Sequence, residues 1–307
     1  MTTVAQWQRV TKRYRDVTAV EDVSLHLQAA EVTALVGHNG AGKTTLIKLL
    51  LGLVRPSTGS VSIGGMNPAG RHGAQARRSI GFLPENVAFH GAMSGNELMA
   101  FYARLKGVSA RGNDELLARV GIAHAARRRV ATYSKGMRQR LGIAQALIGA
   151  PRLLLFDEPT SGLDPESRQD VYETIDRLRA QGATVLISTH ALAEVEDRVD
   201  RAVIMHRGKM LAGGTLAELR GGIRADVRIR LRVRPCTTAQ VLAALPEETR
   251  CIESTDRTLT LHVAPEAKMQ ALRAIAQCGE CIEDVEITVP GLQALYAHLT
   301  GAAEHRE

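Results

Sequence analysis

Long apolar runs are absent from this chain of 307 residues, and aromatic residues make up only 3% of it. A helix that crosses a bilayer needs roughly 18 to 20 consecutive apolar residues, so no segment is expected to span a membrane. The opening MTTVAQWQRVTKRYRD lacks the apolar centre of a secretory leader. Both absences suggest a cytoplasmic protein, or one that reaches a membrane through a partner. The few aromatic residues are not interleaved with basic ones, so bases have no stacking platform and nucleic acid is not expected as a partner. The net charge of +7 is modest, and its densest cluster, Arg127 to Arg129, reads as a solvated or partner-facing helical surface.

Cysteine is also scarce. The four present, Cys236, Cys251, Cys278 and Cys281, lie in the last quarter of the chain. Cys278 and Cys281 form one C-x-x-C pair, but a four-cysteine zinc site needs a second close pair. A redox motif would need a thioredoxin-like unit around it. The cysteines read as small apolar residues, with metal binding at Cys278 and Cys281 left open.

The pattern that is present belongs to an α/β protein. Short strand patterns fill the first 65 residues, and VTALV enters a glycine-rich loop followed by a helix. Residues of about 86–145 are helical in pattern. Strands and helices then alternate through RLLLFDEP, PESRQDVYETIDRLRAQG, ATVLISTH, ALAEVEDRV and RAVIMHRG. This predicts a parallel core interrupted by a helical insertion, over residues 1–221. Residues 222–307 give β-α-β-β-α-β and a last helix, the order of a ferredoxin-like α+β domain.

The loop GHNGAGKTT fits the phosphate-binding pattern G-x-x-x-x-G-K-[ST]. Gly37, Asn39, Gly40, Gly42, Lys43, Thr44 and Thr45 are its candidate nucleotide contacts. Glycines let the backbone wrap so that N–H groups face phosphate oxygens, and the following helix adds its positive end. Lys43 would reach the β- and γ-phosphates, and Thr44 would hold Mg²⁺. LLLFDE is a buried strand that ends in Asp157, a metal ligand, and Glu158, a general base. TYSKGM opens a helix at Ser134 and offers a second anion site. His190, at the end of the strand ISTH, is placed to touch a γ-phosphate.

In this order the elements resemble the ATP-binding-cassette (ABC) ATPases over about residues 3–218. GHNGAGKTT matches Walker A, YSKGM with Ser134 and Gly136 the signature, LLLFDE Walker B, SGLD with Asp164 the D-loop, and His190 the switch histidine. Tyr14 sits where that family stacks an aromatic on adenine. The resemblance implies an antiparallel β subdomain beside a RecA-like core, ATP and Mg²⁺ as cofactors, and a head-to-tail dimer with two ATP molecules at its interface. It also implies a polytopic membrane permease subunit, and a location on the cytoplasmic face of the inner membrane. Lys135 and Met137 depart from the signature, and Glu85 replaces the switch-loop glutamine; a carboxylate there can still ligate Mg²⁺ or orient water. These changes look like those of bacterial exporters. IGFLPENVAFHGAMSGNELMAFYARLKG together with the YSKGM segment looks most like the ATPase of Nos transporters. Those support maturation of the copper centres of periplasmic nitrous oxide reductase, which implies a periplasmic accessory protein as a further partner. The alternatives are a drug, lipid or polysaccharide exporter, or a soluble ABC protein without a transport role.

Overall fold

The computed structural model describes residues 2–221, 226–235, 237–288 and 291–304. They divide into two units, Met1–Thr215 and Leu216–Glu307. In the first unit β1 (Thr3–Tyr14), β2 (Val17–Gln28) and β3 (Val32–Val36) lead to α1 (Lys43–Leu50), β4 (Thr58–Ile63), α2 (Gly73–Arg78) and β5 (Ile80–Leu83). A helical stretch follows with α3 (Gly95–Lys106), α4 (Asn113–Arg119) and α5 (Lys135–Leu147). Then come β6 (Leu153–Asp157), α6 (Pro165–Ala180), β7 (Thr184–Thr189), α7 (Leu192–Val195), β8 (Arg201–His206) and β9 (Lys209–Thr215). Among the described residues no helix is long and apolar enough to cross a membrane.

Burial accounts for the sheets. β3, β6 and β7 are buried at every position, as parallel strands covered on both faces must be. They lie in a six-stranded sheet of order β5-β6-β7-β3-β8-β9. The antiparallel sheet β2-β1-β4 is covered on one face, so β1 alternates and buries Ala5 and Trp7. Arg9, at φ 45, then forms a bulge that shifts the register and turns Val10 inward again. Trp7 and Leu27 from this sheet meet Leu46, Ile47 and Leu50 of α1 and Leu35, Leu155 and Leu186 of the large sheet in one core. The Trp7 indole donates to Leu46 O at 3.2 Å, which pins the helix that begins at the glycine loop.

The structure departs from the sequence reading in five places. The large sheet is mixed, because β9 pairs antiparallel with β8 through a turn at Arg207 (φ 44) and Gly208 (φ 81). Gly213 and Gly214 hide β9 from a propensity reading. α2 went unseen because GAQARR has no apolar period and, apart from Gly73, buries only Ala76. The stretch NDELLARVGIAHAARRR is broken at Gly121 (φ 75), and ALAEVEDRV keeps only four α-helical residues. The units divide after Thr215 rather than after residue 221, because α8 (Leu216–Gly221) packs with the last helix of the second unit.

The second unit continues with β10 (Val227–Val233), α9 (Thr238–Ala244), β11 (Arg250–Ser254), β12 (Thr258–Val263), α10 (Lys268–Gln277), β13 (Ile282–Thr288) and α11 (Leu292–Glu304). Its antiparallel sheet has the order β11-β12-β10-β13, which is the ferredoxin-like arrangement. VRIRLRV alternates strictly, burying Val227, Ile229, Leu231 and Val233 beneath α9 and α10. Cys278 and Cys281 are partly buried against the same apolar cluster. Cys236 lies outside the described residues.

Replacing Trp7 with Ala removes a buried ring and orphans Leu46 O. The first unit is expected to lose about 3–5 kcal/mol of stability, read from urea denaturation followed by far-UV circular dichroism. A loss below about 1 kcal/mol would show that the indole does not clamp α1.

Candidate functional site

In a mostly parallel sheet, ligands bind at the carboxyl ends of the strands. β3, β5, β6 and β7 end there in Gly37, Glu85, Asp157–Glu158 and Ser188–His190, each within two residues of its strand. Gly37 N donates to Thr189 O at 3.3 Å, which ties two of these ends together. Gly42 has φ +101, and a Cβ there would lie 2.6 Å from Ala19 O, so the loop can close against β2 only without a side chain. As the residue that precedes α1 it offers no capping side chain, and the first-turn N–H groups stay available to a ligand.

Lys43 is almost completely buried. Its Nζ donates to Gly37 O at 2.5 Å and His38 O at 3.3 Å, and lies 3.2 Å from Glu158 Oε1. That ion pair is close, yet its direction falls short of a hydrogen bond, so Oε1 has no aligned donor. The other oxygen, Oε2, is 2.8 Å from His190 Nδ1. Glu158 is therefore gripped from two sides. Next to it, Thr44 Oγ1 donates to Asp157 Oδ1 at 3.4 Å. A hydroxyl and a carboxylate, with the Glu85 carboxylate on the same cleft, are hard oxygen donors of the kind Mg²⁺ takes.

The cleft has a volume of about 500 Å³ and brings together Asn39, Gly40, Gly42, Lys43, Thr44, Thr45, Glu85 and Glu158. Tyr14 is not among its lining residues. The Lys12 ammonium sits 4.8 Å from its ring centre, and Val17, Thr18 and Ala19 of the same hairpin face the cleft instead. Ser134, Gly136 and Asp164 form a second group that does not line the cleft either. Ser134 caps α5 by accepting Met137 N–H at 3.1 Å, and Asp164 caps α6 by accepting Ser167 N–H at 2.9 Å. That backbone N–H holds the Asp164 carboxyl below the usual carboxylate range. The two helix starts touch, since a Cβ on Gly136 would lie 2.9 Å from Ser167 Cβ. Buried Gln139 donates to Pro159 O at 2.7 Å and fastens α5 to the loop after Glu158.

A larger cavity, of about 980 Å³, borders α6 and α7 but is lined by none of the candidate residues. Its arginines are already paired, Arg168 with Glu194, Arg179 with Asp200 and Arg198 with Asp176. Size alone therefore does not mark the site. The residue that the motif reading passed over is Ser188, which is fully buried and bonded to Asp157 and to the Glu158 backbone. The signal was a polar side chain inside the buried strand TVLIST.

A family model described as ABC transporter matches residues 20–161. A daunorubicin resistance ATP-binding protein of Streptomyces coeruleorubidus is 35% identical over 94% of this chain and 93% of its own. A linearmycin resistance ATP-binding protein of Bacillus subtilis is 31% identical over 96% of this chain and 98% of its own. The solved structure of an ATP binding subunit of an ABC transporter superposes with a TM-score of 0.65 at 33% identity, covering 71% of this chain and 92% of that one.

Gly42→Ala puts an L side chain at φ +101 and against Ala19 O. A cost of about 1–3 kcal/mol is expected from the backbone alone, seen as a lower urea midpoint for the first unit. An unchanged midpoint would mean that the loop has room to re-form.

Proposed function

This chain belongs to the ATP-binding proteins of ABC transporters, and on that premise we propose how its residues turn over ATP and what the turnover drives. Members of the family are ATPases, and their ATP-binding subunits typically dimerise and pair with a membrane permease. The observation that carries the site assignment is Glu158, held between Lys43 and His190 beside Asp157.

The loop N–H groups and the start of α1 take the phosphates, and Lys43 compensates β/γ-phosphate charge. Thr44 and Asp157 would hold Mg²⁺, with Glu85 bordering the same cleft. A bound divalent cation supplies charge compensation across the phosphate oxygens. Glu158 Oε1, which has no aligned donor, accepts the proton of the attacking water. Water oxygen then bonds to the γ-phosphorus, the bond to the bridging oxygen breaks, and ADP and phosphate leave. His190 orients Glu158 and contacts the γ-phosphate. In this scheme Tyr14 is the adenine-side residue, by resemblance alone.

Ser134, Gly136 and Asp164 act on a second copy's nucleotide. Each chain has one complete phosphate loop, and its YSKGM turn does not line that loop's cleft. A head-to-tail pair makes two equal composite sites. The permease docks on the segment after Glu85. Phe89 and Tyr102 stack edge to face there (6.2 Å), and Phe101 and Leu105 are exposed one helical turn apart on α3. The protein thus sits at the inner membrane's cytoplasmic face through that subunit.

For cargo, we favour a small-molecule exporter. The drug-resistance relatives align over nearly their whole length, the second unit included. The Nos reading, with its periplasmic accessory protein and copper-site role, rests on the segments quoted for it, and neither relative named above carries that description. Purification of the intact complex separates the two readings. A permease alone, with ATPase activity stimulated by anthracyclines, supports the exporter; co-purification of a periplasmic protein from a nitrous oxide reductase system supports Nos.

Glu158→Gln should bind ATP and form a dimer seen by light scattering, with turnover reduced at least about 100-fold; near-normal turnover removes Glu158 as the base. Lys43→Ala should lose ATP binding and therefore the dimer. Mixing Lys43→Ala with Ser134→Arg should recover part of the activity that each lacks, because one composite site then carries neither lesion. Formation of mixed dimers with no recovery, together with a structure showing Ser134 on its own chain's nucleotide, would end the head-to-tail reading. Cysteines at Phe89 or Met93 should crosslink to a cytoplasmic loop of the permease, whereas crosslinks confined to the second unit would move the docking surface there.

A further inference from the structure

β7 runs through the middle of the large sheet, and Ser188 near its end is completely buried. A hydroxyl in such a place costs free energy unless its hydrogen-bonding capacity is used. Here both halves of that capacity go to the two acidic residues. Register places Asp157 opposite Ser188. Ser188 Oγ is 2.5 Å from Asp157 Oδ1 and 2.9 Å from Glu158 N. An ionised carboxylate can only accept and a backbone N–H can only donate, so the hydroxyl proton must point at Asp157.

The two bonds differ in what they contribute. Glu158 N–H also reaches Ser188 O at 3.2 Å, so the strand backbone satisfies it without the hydroxyl. Asp157 Oδ1 also accepts from the Thr44 hydroxyl, but at 3.4 Å, a longer contact. Ser188 is therefore the strong fixed donor that sets the rotation of the Asp157 carboxylate. Glu158 meanwhile holds φ 47, a left-handed conformation that a non-glycine residue keeps only where its surroundings impose it. The hydroxyl closes on the N–H at the start of that turn.

We propose that Ser188 is a positioning residue, turning the Asp157 carboxylate towards Thr44 for the metal. Fully buried, it acts through the Asp157 carboxylate. The proposal rests on Asp157 and Thr44 being the metal ligands. Hydrogen-bond partners behind a metal ligand fix its orientation, and their loss typically weakens metal binding 10- to 100-fold. A serine that only fills space predicts no such effect, and the two roles separate on substitution.

The test uses the full chain in a Glu158→Gln background, so that ATP persists, with Mn²⁺ as the probe titrated by electron paramagnetic resonance at saturating ATP. Ser188→Ala is expected to weaken Mn²⁺ binding about tenfold or more, while ATP affinity in EDTA stays within about twofold of the parent. Ser188→Thr keeps the donor and should stay within about threefold of the parent. Ser188→Cys fills the space with a poor donor and should follow Ala, which keeps the test decisive if the Ala variant folds badly. Asp157→Asn is the control. If Asp157→Asn loses Mn²⁺ and Ser188→Ala and Ser188→Cys do not, the positioning role is overturned and the metal site stands. If Asp157→Asn also binds Mn²⁺ normally, the metal reading fails and takes the proposal with it.

Discussion

Two opposite charges, Lys43 and Glu158, face each other almost out of water 3.2 Å apart. Each compensates the other at that depth, where an uncompensated charge costs several kcal/mol. The pair joins the first residue of α1 to the end of β6, elements far apart in sequence. Through Glu158 it also ties the glycine loop to the histidine after β7. Lys43 also bonds two loop carbonyls, so the same ammonium that draws in the carboxylate shapes the loop.

The order of the large sheet brings these ends side by side. β3 lies between β7 and β8, and β7 lies between β6 and β3. The strands that end in the loop, the carboxylates and the histidine are thus three consecutive neighbours. Across them run Gly37 N to Thr189 O, Ser188 Oγ to Asp157 and His190 to Glu158. A separate grip comes from α5, where Gln139 reaches Pro159 and the Gly136 turn abuts Ser167. The residues from Glu158 to Asp164 are consequently fastened at both ends.

Residues whose chemistry depends on type and spacing were legible in the sequence. Gly42, Lys43, Thr44, Asp157 and Glu158 could be placed because glycine, ammonium and carboxylate have few uses in that spacing. β3, β6 and β7 could be placed because burial on both faces forces unbroken apolar runs. β9 and α2 were not legible, since glycine pairs and a short polar helix carry no period, and only the neighbouring strands hold them in place. Ser188 was missed for a different reason. Its meaning lies in the strand beside it, and a pairing between residues 31 apart leaves no local trace. Tyr14 was placed by resemblance alone; in the structure the Lys12 ammonium lies 4.8 Å from its ring centre, and the cleft is lined instead by Val17, Thr18 and Ala19 of the same hairpin.

The chain contains a single tryptophan, and that indole bonds to Leu46, three residues beyond the lysine of the loop. Its ring is sealed among aliphatic side chains and its one polar atom is tied to the helix carbonyl. Intrinsic fluorescence excited at the red edge therefore has one origin, with no other indole to dilute it. Any shift of α1 along its axis stretches or relaxes the indole's hydrogen bond and moves the emission colour. The molecule thus contains an unlabelled optical gauge of the helix beneath its glycine loop, suited to stopped-flow recording in the native sequence.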